Sequence, residues 1–180
     1  MPGHVILSHG LNSSPDATKV SALAEVAHAL GWTSERPDYA DIDRLGRPSD
    51  IDSRALRLKA RVLAHQRARP GTPLVLAGSS MGAFISALVS REVPTLGLFL
   101  MVPPVVIEGY PRMLRAADVP TTIIHAWGDE LIPAQDVVRW AQRRRDRLVM
   151  VDDGHRLERH VAFCAEEFGR FLQGLPESQP

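Results

Sequence analysis

Only Gly78-Ser79-Ser80-Met81-Gly82 separates Pro73-Leu74-Val75-Leu76-Ala77, which has the character of a short buried strand, from Ala83-Phe84-Ile85-Ser86-Ala87-Leu88-Val89, the opening turns of a helix. A strand that becomes a helix over so short a turn leaves no room for a Cβ on either side of its apex, so both flanking glycines have a steric reason. The apex is Ser80, and such a turn lifts its hydroxyl above the sheet. The pentapeptide therefore places a strand-turn-helix unit mid-chain and offers Ser80 as a candidate nucleophile. A glycine-rich connection with an idle serine would read the same way, so the decision falls to the rest of the chain.

The rest repeats the unit. His4-Val5-Ile6-Leu7-Ser8 is β-prone and ends in the loop His9-Gly10-Leu11-Asn12. Ser14-Pro15 has the residue types of a helix start, followed by Val20, Leu23, Ala27 and Leu30 at helical spacing and Gly31 as a stop. The polar stretch Trp32 to Pro37 suits a strand near a sheet edge. The acidic stretch from Asp38 to Asp52, broken by Gly46 and Pro48, reads as a surface loop. Ser53, or an aspartate just before it, then caps a helix carrying Leu56, Ala60 and Leu63. After the central unit, Thr95 to Val102 is continuously apolar, as in a strand covered on both faces. Pro120 to Trp127 and Arg147 to Val151 are further strands. A helix from Pro133 ends in Arg143-Arg144-Arg145, where cations suit the helix dipole, and the last helix shows Leu157, Val161, Cys164, Phe168 and Leu172 at three- and four-residue steps. Strands alternating with helices predict an α/β fold, a doubly wound and mostly parallel sheet of about six strands with helices on both faces. One domain over residues 1–174 with a frayed tail over 175–180 is expected, since 180 residues bury a core without staples.

Composition excludes several classes. Lys plus Arg and Asp plus Glu each number 21, so no global field draws the chain to nucleic acid or an anionic membrane. No stretch has the length of a membrane span, and Val5-Ile6-Leu7 is too short for a signal peptide. The single Cys164 admits no internal disulfide, and the expected location is cytoplasmic. Scattered histidines lack metal-site spacing, and neither a metal nor another cofactor is expected. The arginine run reads as a solvated helix end, a phosphate-binding role being the lesser reading.

Loops at the carboxyl ends of parallel strands open onto one crevice, so what stands there tests the Ser80 reading. The first strand delivers His9-Gly10-Leu11, the central one Ser80, the penultimate one Asp129 and the last one His155. A nucleophile, an acid and a base thus each follow a strand directly. A hydroxyl is a poor nucleophile at neutral pH, so His155 would take its proton during attack on a carbonyl carbon and return it to the leaving group. Asp129 would hold the imidazole in the useful tautomer. Asp152 and Asp153 rival Asp129 for that role, and His125, His160 and His9 rival His155. His160 fits a helix surface, His125 a packed strand end, and Cys164 the core.

Through His9-Gly10, Gly78-Ser79-Ser80-Met81-Gly82, Gly128-Asp129 and Gly154-His155, nearly the whole chain resembles the α/β-hydrolase family, and within it the small lidless bacterial serine carboxylesterases. The resemblance implies that the oxyanion of the tetrahedral intermediate is held by the main-chain N–H groups of Leu11 and Met81. Two departures are expected: the family's two N-terminal antiparallel strands are missing, and the connection from Pro103 to Val119 is too short for a helical lid. The function implied is hydrolysis of carboxylic esters, or thioesters, through an acyl-enzyme, with a small-molecule acyl substrate as partner. Tyr39 and the run Val102-Pro103-Pro104-Val105-Val106, with Tyr39, Val102, Pro103 and Val105 singled out for substrate contact, are expected to line the crevice if the loops fold over Ser80. A catalytically silent binding or scaffold protein on the same fold is the alternative. Dinucleotide binding ranks low, because no Gly-x-Gly-x-x-Gly spacing is present.

Overall fold

The structure is a computed structural model that describes residues 2–47 and 50–176. Pro48, read above as a loop breaker, and residues 177–180 of the expected frayed tail lie outside the described residues. Six runs form strands, β1 (His4–Ser8), β2 (Thr33–Glu35), β3 (Leu74–Ser79), β4 (Gly97–Met101), β5 (Thr121–Ala126) and β6 (Arg147–Val151). They join in one all-parallel sheet ordered β2-β1-β3-β4-β5-β6. The helices are α1 (Thr18–Ala29), α2 (Ala40–Asp43), α3 (Asp50–Ala68), α4 (Met81–Ser90), α5 (Ala134–Arg144) and α6 (Val161–Gln173), the last entered through a short 3₁₀ turn over Glu158–His160.

The period of two along each strand sorts the core into two layers. Val5, Leu7, Val75, Ala77, Phe99 and Ile124 face α1 and α6, meeting Leu23, Cys164 and Phe168. Ile6, Leu74, Leu76, Leu98, Leu100 and Ile123 face the other way, against Leu58 and Val62 of α3, Phe84 of α4 and Trp140 of α5. Because both faces are covered, the central strands are largely apolar and β1, β3, β4 and β5 are buried along their whole length. β2 pairs with β1 alone and is a sheet edge, in keeping with its polar sequence.

The stretch read as an acidic loop is more ordered than expected. It holds α2, a single turn whose first N–H groups are met by the Asp38 carboxylate at Ala40, and α3 begins at Asp50. Asp43 and Asp50 are buried carboxylates facing Arg54 and Arg47, so part of the charge faces inward. At the other revised boundary, α1 starts at Thr18 because Ser14-Pro15 forms a preceding turn, Ala17 N–H donating to Ser14 O.

Register decides what meets above the sheet. Ser8 is level with Gly78, so His9-Gly10 and Ser79-Ser80 emerge side by side. Ala126 is level with Val151, so the loops carrying Asp129 and His155 emerge together. The chain passes from β1 outward to β2 and returns to β3 on the opposite side, which makes the β1/β3 boundary the switch point where crevices form.

Candidate active site

The turn from β3 into α4 is as tight as its glycines suggest. A Cβ on Gly78 would collide with the backbone of Gly82, and one on Gly82 would collide with the carbonyls of Ser8 and His9. Between them Ser80 takes φ 54° and ψ −118°, a strained conformation for a residue with a side chain. Flanking hydrogen bonds hold it there: Ser80 N–H donates to Met101 O at 2.9 Å, and Ser80 O accepts from Phe84 N–H at 3.0 Å.

The Ser80 hydroxyl lies 3.0 Å from His155 Nε2, and His155 Nδ1 lies 2.8 Å from Asp129 Oδ2. A carboxylate only accepts, so Nδ1 carries the proton and Nε2 is the acceptor facing Ser80. The Asp129 carboxylate is fully buried; its Oδ1 accepts from the N–H groups of Leu131 at 3.0 Å and Ile132 at 2.8 Å. Burial opposes its ionisation, but the bonds from His155, Ile132 and Leu131 prevail and hold its pKa below the ordinary carboxylate value. The two loops are tied together by Trp127 N–H to Val151 O at 2.9 Å and Gly128 N–H to Asp153 O at 3.1 Å. Glu130 adds an anchor, its carboxylate accepting from His155 N–H at 3.1 Å.

The rival residues are bonded to other partners, although His125 Nε2 also comes within 3.8 Å of Asp129 Oδ2. Asp153 accepts from the N–H groups of Gly154 and Arg159 and pairs with His160 Nδ1 at 2.9 Å, which shapes the loop beneath His155. The Asp152 side chain is almost fully exposed. His125 is buried and donates through Nε2 to Ile132 O at 3.2 Å. His9 is also buried; its Nδ1 donates to Gly10 O at 2.8 Å while Nε2 accepts from Tyr39 N–H at 3.1 Å, a fully assigned neutral ring. Burial first, and the Arg54 charge with it, lowers its pKa.

Ser80 opens into a crevice of about 860 Å³. Leu11 and Met81 line it as expected positions, and among the described residues no acceptor takes the N–H of either. Four of the expected lining residues are placed differently. Tyr39 is buried behind β1 with its hydroxyl 3.0 Å from Ser8 Oγ. Val102 turns into the layer beneath α1 and α6, Pro103 is buried, and Val105 turns into the opposite layer. From the expected run, Pro104 and Val106 do line the crevice, joined by Ile107, Leu131 and Ile132 and by Lys19 and Arg156. The segment 102–119 carries no helix, so nothing helical covers the crevice among the described residues.

Sequence reasoning missed three side chains here. Glu130 and Asp43 carried no pattern to mark them. Arg54 did, for it stands with Ile51, Leu58 and Val62 on the buried stripe of α3, where a charge is out of place. No helix is long and apolar enough to cross a membrane, and no group of three or more His, Cys, Asp or Glu among the described residues can hold a metal ion.

Neither the protein-family models nor the curated proteins include a match to this chain. Solved structures do. A candidate hydrolase of the alpha/beta superfamily from Xanthomonas campestris pv. campestris is 54% identical over 96% of this chain and 99% of its own, with a TM-score of 0.89. An esterase from Pyrococcus furiosus is 18% identical over 96% of this chain and 82% of its own, TM-score 0.78. A lidless alpha/beta serine hydrolase, also from Xanthomonas campestris, is 19% identical over 99% of this chain and 86% of its own, TM-score 0.69. The latter two identities speak for the fold alone.

Proposed function

The chain belongs to the alpha/beta hydrolase superfamily, and from that premise we propose that it is a serine hydrolase that cleaves carboxylic esters, or thioesters, through an acyl-enzyme intermediate. The observation that carries the reading is the unbroken relay from the Ser80 hydroxyl through both nitrogens of His155 to a buried, ionised Asp129. As Ser80 Oγ bonds to the acyl carbon, His155 Nε2 takes its proton. The imidazolium so formed is stabilised by Asp129, and the proton passes to the alcohol or thiol as the carbon–heteroatom bond breaks. Water then repeats the sequence in reverse and frees Ser80.

Charge develops on the carbonyl oxygen at each step. Met81 N–H stands at the amino end of α4, where the helix dipole favours an anion, and Leu11 N–H is the second donor. The open crevice with its apolar wall favours a small uncharged acyl portion. Cys164 is not a competing nucleophile, because burial pushes its thiol up to about 11. A lone buried thiol also agrees with a cytoplasmic setting.

Short p-nitrophenyl esters and a fluorophosphonate probe test the proposal. Wild type turns the esters over and is labelled on Ser80, and Ser80→Ala loses labelling and at least about a thousandfold in kcat. Ester turnover unchanged in Ser80→Ala rejects it. Absence of both turnover and labelling in the wild type favours the silent scaffold.

A further inference from the structure

Beneath the loop that follows β1 lies a buried guanidinium. Arg54 of α3 is 1% exposed, and its Nη2 donates to His9 O at 2.8 Å and to Gly10 O at 3.3 Å. His9 Nδ1 reaches the same Gly10 carbonyl. The guanidinium lies 4.5 Å above the Tyr39 ring, and its Nε is 3.5 Å from Asp43 Oδ1, whose second oxygen accepts from Asn12 N–H at 3.0 Å. Three side chains from the segment between β2 and β3 thus hold the backbone of His9 to Asn12 from one side.

Such an arrangement is a poor source of stability. A buried ion pair recovers little beyond its desolvation cost; among the described residues Arg54 Nε, Arg54 Nη1 and Asp43 Oδ1 have no hydrogen-bond partner, so Asp43 meets Arg54 as a charge and not through a hydrogen bond. Its geometric effect is specific, however. In a trans peptide the C=O and the following N–H project from opposite edges of one plane, and the described chain contains no cis bond. Fastening Gly10 O on the Arg54 side presents Leu11 N–H on the other, along the crevice, where Gly10 passes so close that a Cβ there would lie 3.7 Å from Ser80 Cβ.

We propose that Arg54, braced by Asp43 and Tyr39, is a positioning residue that fixes the Gly10–Leu11 peptide plane and so aims the Leu11 N–H at the oxyanion formed on the Ser80 adduct. This rests on the hydrolase reading of Ser80. Without Arg54, Gly10 O is left with the His9 Nδ1 bond alone and His9 O with none from Arg54, so the peptide plane is held less firmly and the Leu11 donor is misaligned while Ser80, His155 and Asp129 stay in place.

Two variants test it, each with folding checked by thermal melting and kinetics normalised to active sites titrated with fluorophosphonate. Arg54→Lys keeps the charge opposite Asp43 but offers no planar fork, and kcat for p-nitrophenyl acetate falls about tenfold. Arg54→Met combined with Asp43→Asn removes both charges together, so that no carboxylate is left unpaired. It keeps an acceptor for Asn12 N–H, and kcat falls about a hundredfold. In both, KM stays within about twofold, the pH profile of kcat/KM keeps its midpoint, and inhibition by a trifluoromethyl ketone, which builds the oxyanion on Ser80, weakens in step with kcat. Wild-type kcat and ketone affinity in either folded variant overturn the proposal. So does a loss that appears in KM or as a displaced pH profile, and so does a lowered melting temperature with kinetics intact, which marks a structural role. Ser80→Ala in the same assay separates the two claims: if it matches wild type, the hydrolase reading falls and the clamp with it, whereas a dead Ser80→Ala beside fully active Arg54 variants removes the clamp alone.

Discussion

Neither carboxylate oxygen of Asp129 is free to swing away: Oδ2 meets His155 Nδ1, and Oδ1 accepts two backbone N–H groups. Asn has the same shape but presents an amide N–H on one side. Since the two backbone donors hold the oxygen, the amide would face His155, and the imidazole would have to carry its proton on Nε2 and lose its acceptor toward Ser80. Asp129→Asn is therefore expected to fold normally and to lower kcat on the order of a thousandfold or more with little change in KM. Steady-state kinetics beside a thermal melt check this, and an unchanged kcat would remove Asp129 from the relay. That Ser80, His155 and Asp129 would come together was legible because each lies in a loop at the carboxyl end of a strand. Tyr39, Val102, Pro103 and Val105 were not, since in irregular backbone no period fixes the side a residue faces. Within the run from Val102 to Val106 only Pro104 and Val106 face the crevice. Arg54 escaped notice because a charge on a helix usually reads as a solvated face, and only its register with Leu58 and Val62 says otherwise.

The elbow shows how closely two elements can be pressed together. Replacing a helical glycine by alanine normally gains up to about 1 kcal/mol of helix propensity. At Gly82 the new methyl would sit within the carbonyls of Ser8 and His9, backbone atoms of β1 that cannot step aside as a flexible side chain can. The clash outweighs the propensity, and Gly82→Ala is expected to destabilise the protein by about 3 kcal/mol, measured by urea denaturation, and to lower activity in the fraction that folds. Neutral or increased stability would mean that α4 can slide off β1. This steric logic made the β3–α4 unit readable from five residues. The short helix α2 and the early start of α3 were not readable, because their apolar content is thin. What holds them is the buried pairing of Asp43 with Arg54, a tertiary contact, and a local turn in which the Asp50 carboxylate accepts from the Arg47 N–H and pairs with its exposed guanidinium.

At the scale of the molecule, alternation of strands and helices implied a parallel sheet, but not its order, because any sequence of crossovers buries the same apolar runs. That order matters: it places β1 beside β3 and β5 beside β6, and so assembles the crevice from loops spread between His9 and His155. The opposite end of the sheet holds a second cluster of histidine. There His4 of β1 is 6% exposed, stacked on His65 of α3 with ring centres 3.8 Å apart and bonded to Thr33 Oγ1 at 2.7 Å. Burial, then the neighbouring His65 and Arg69 charges, lower the His4 pKa to about 4, and burial likewise lowers His65, His9 and His125. In the unfolded chain each titrates near about 6.5. Between those values the unfolded state binds more protons, so the stability the neutral His4 ring contributes is complete above about pH 6.5 and is lost as pH falls toward 4, and the other three rings act in the same direction. For His4 alone the ceiling is on the order of 3 kcal/mol. The protein is accordingly expected to melt at a clearly lower temperature at pH 4.5 than at pH 7.5. His4→Asn, which retains a polar group near Thr33 but cannot titrate, should narrow that difference, while Ser80→Ala leaves it unchanged. Equal melting temperatures at the two pH values, or a gap untouched by His4→Asn, would locate the acid sensitivity elsewhere. Because this cluster lies at the amino end of β1 and the crevice at its carboxyl end, the acid limit on folding and the pH profile of catalysis should move independently under mutation.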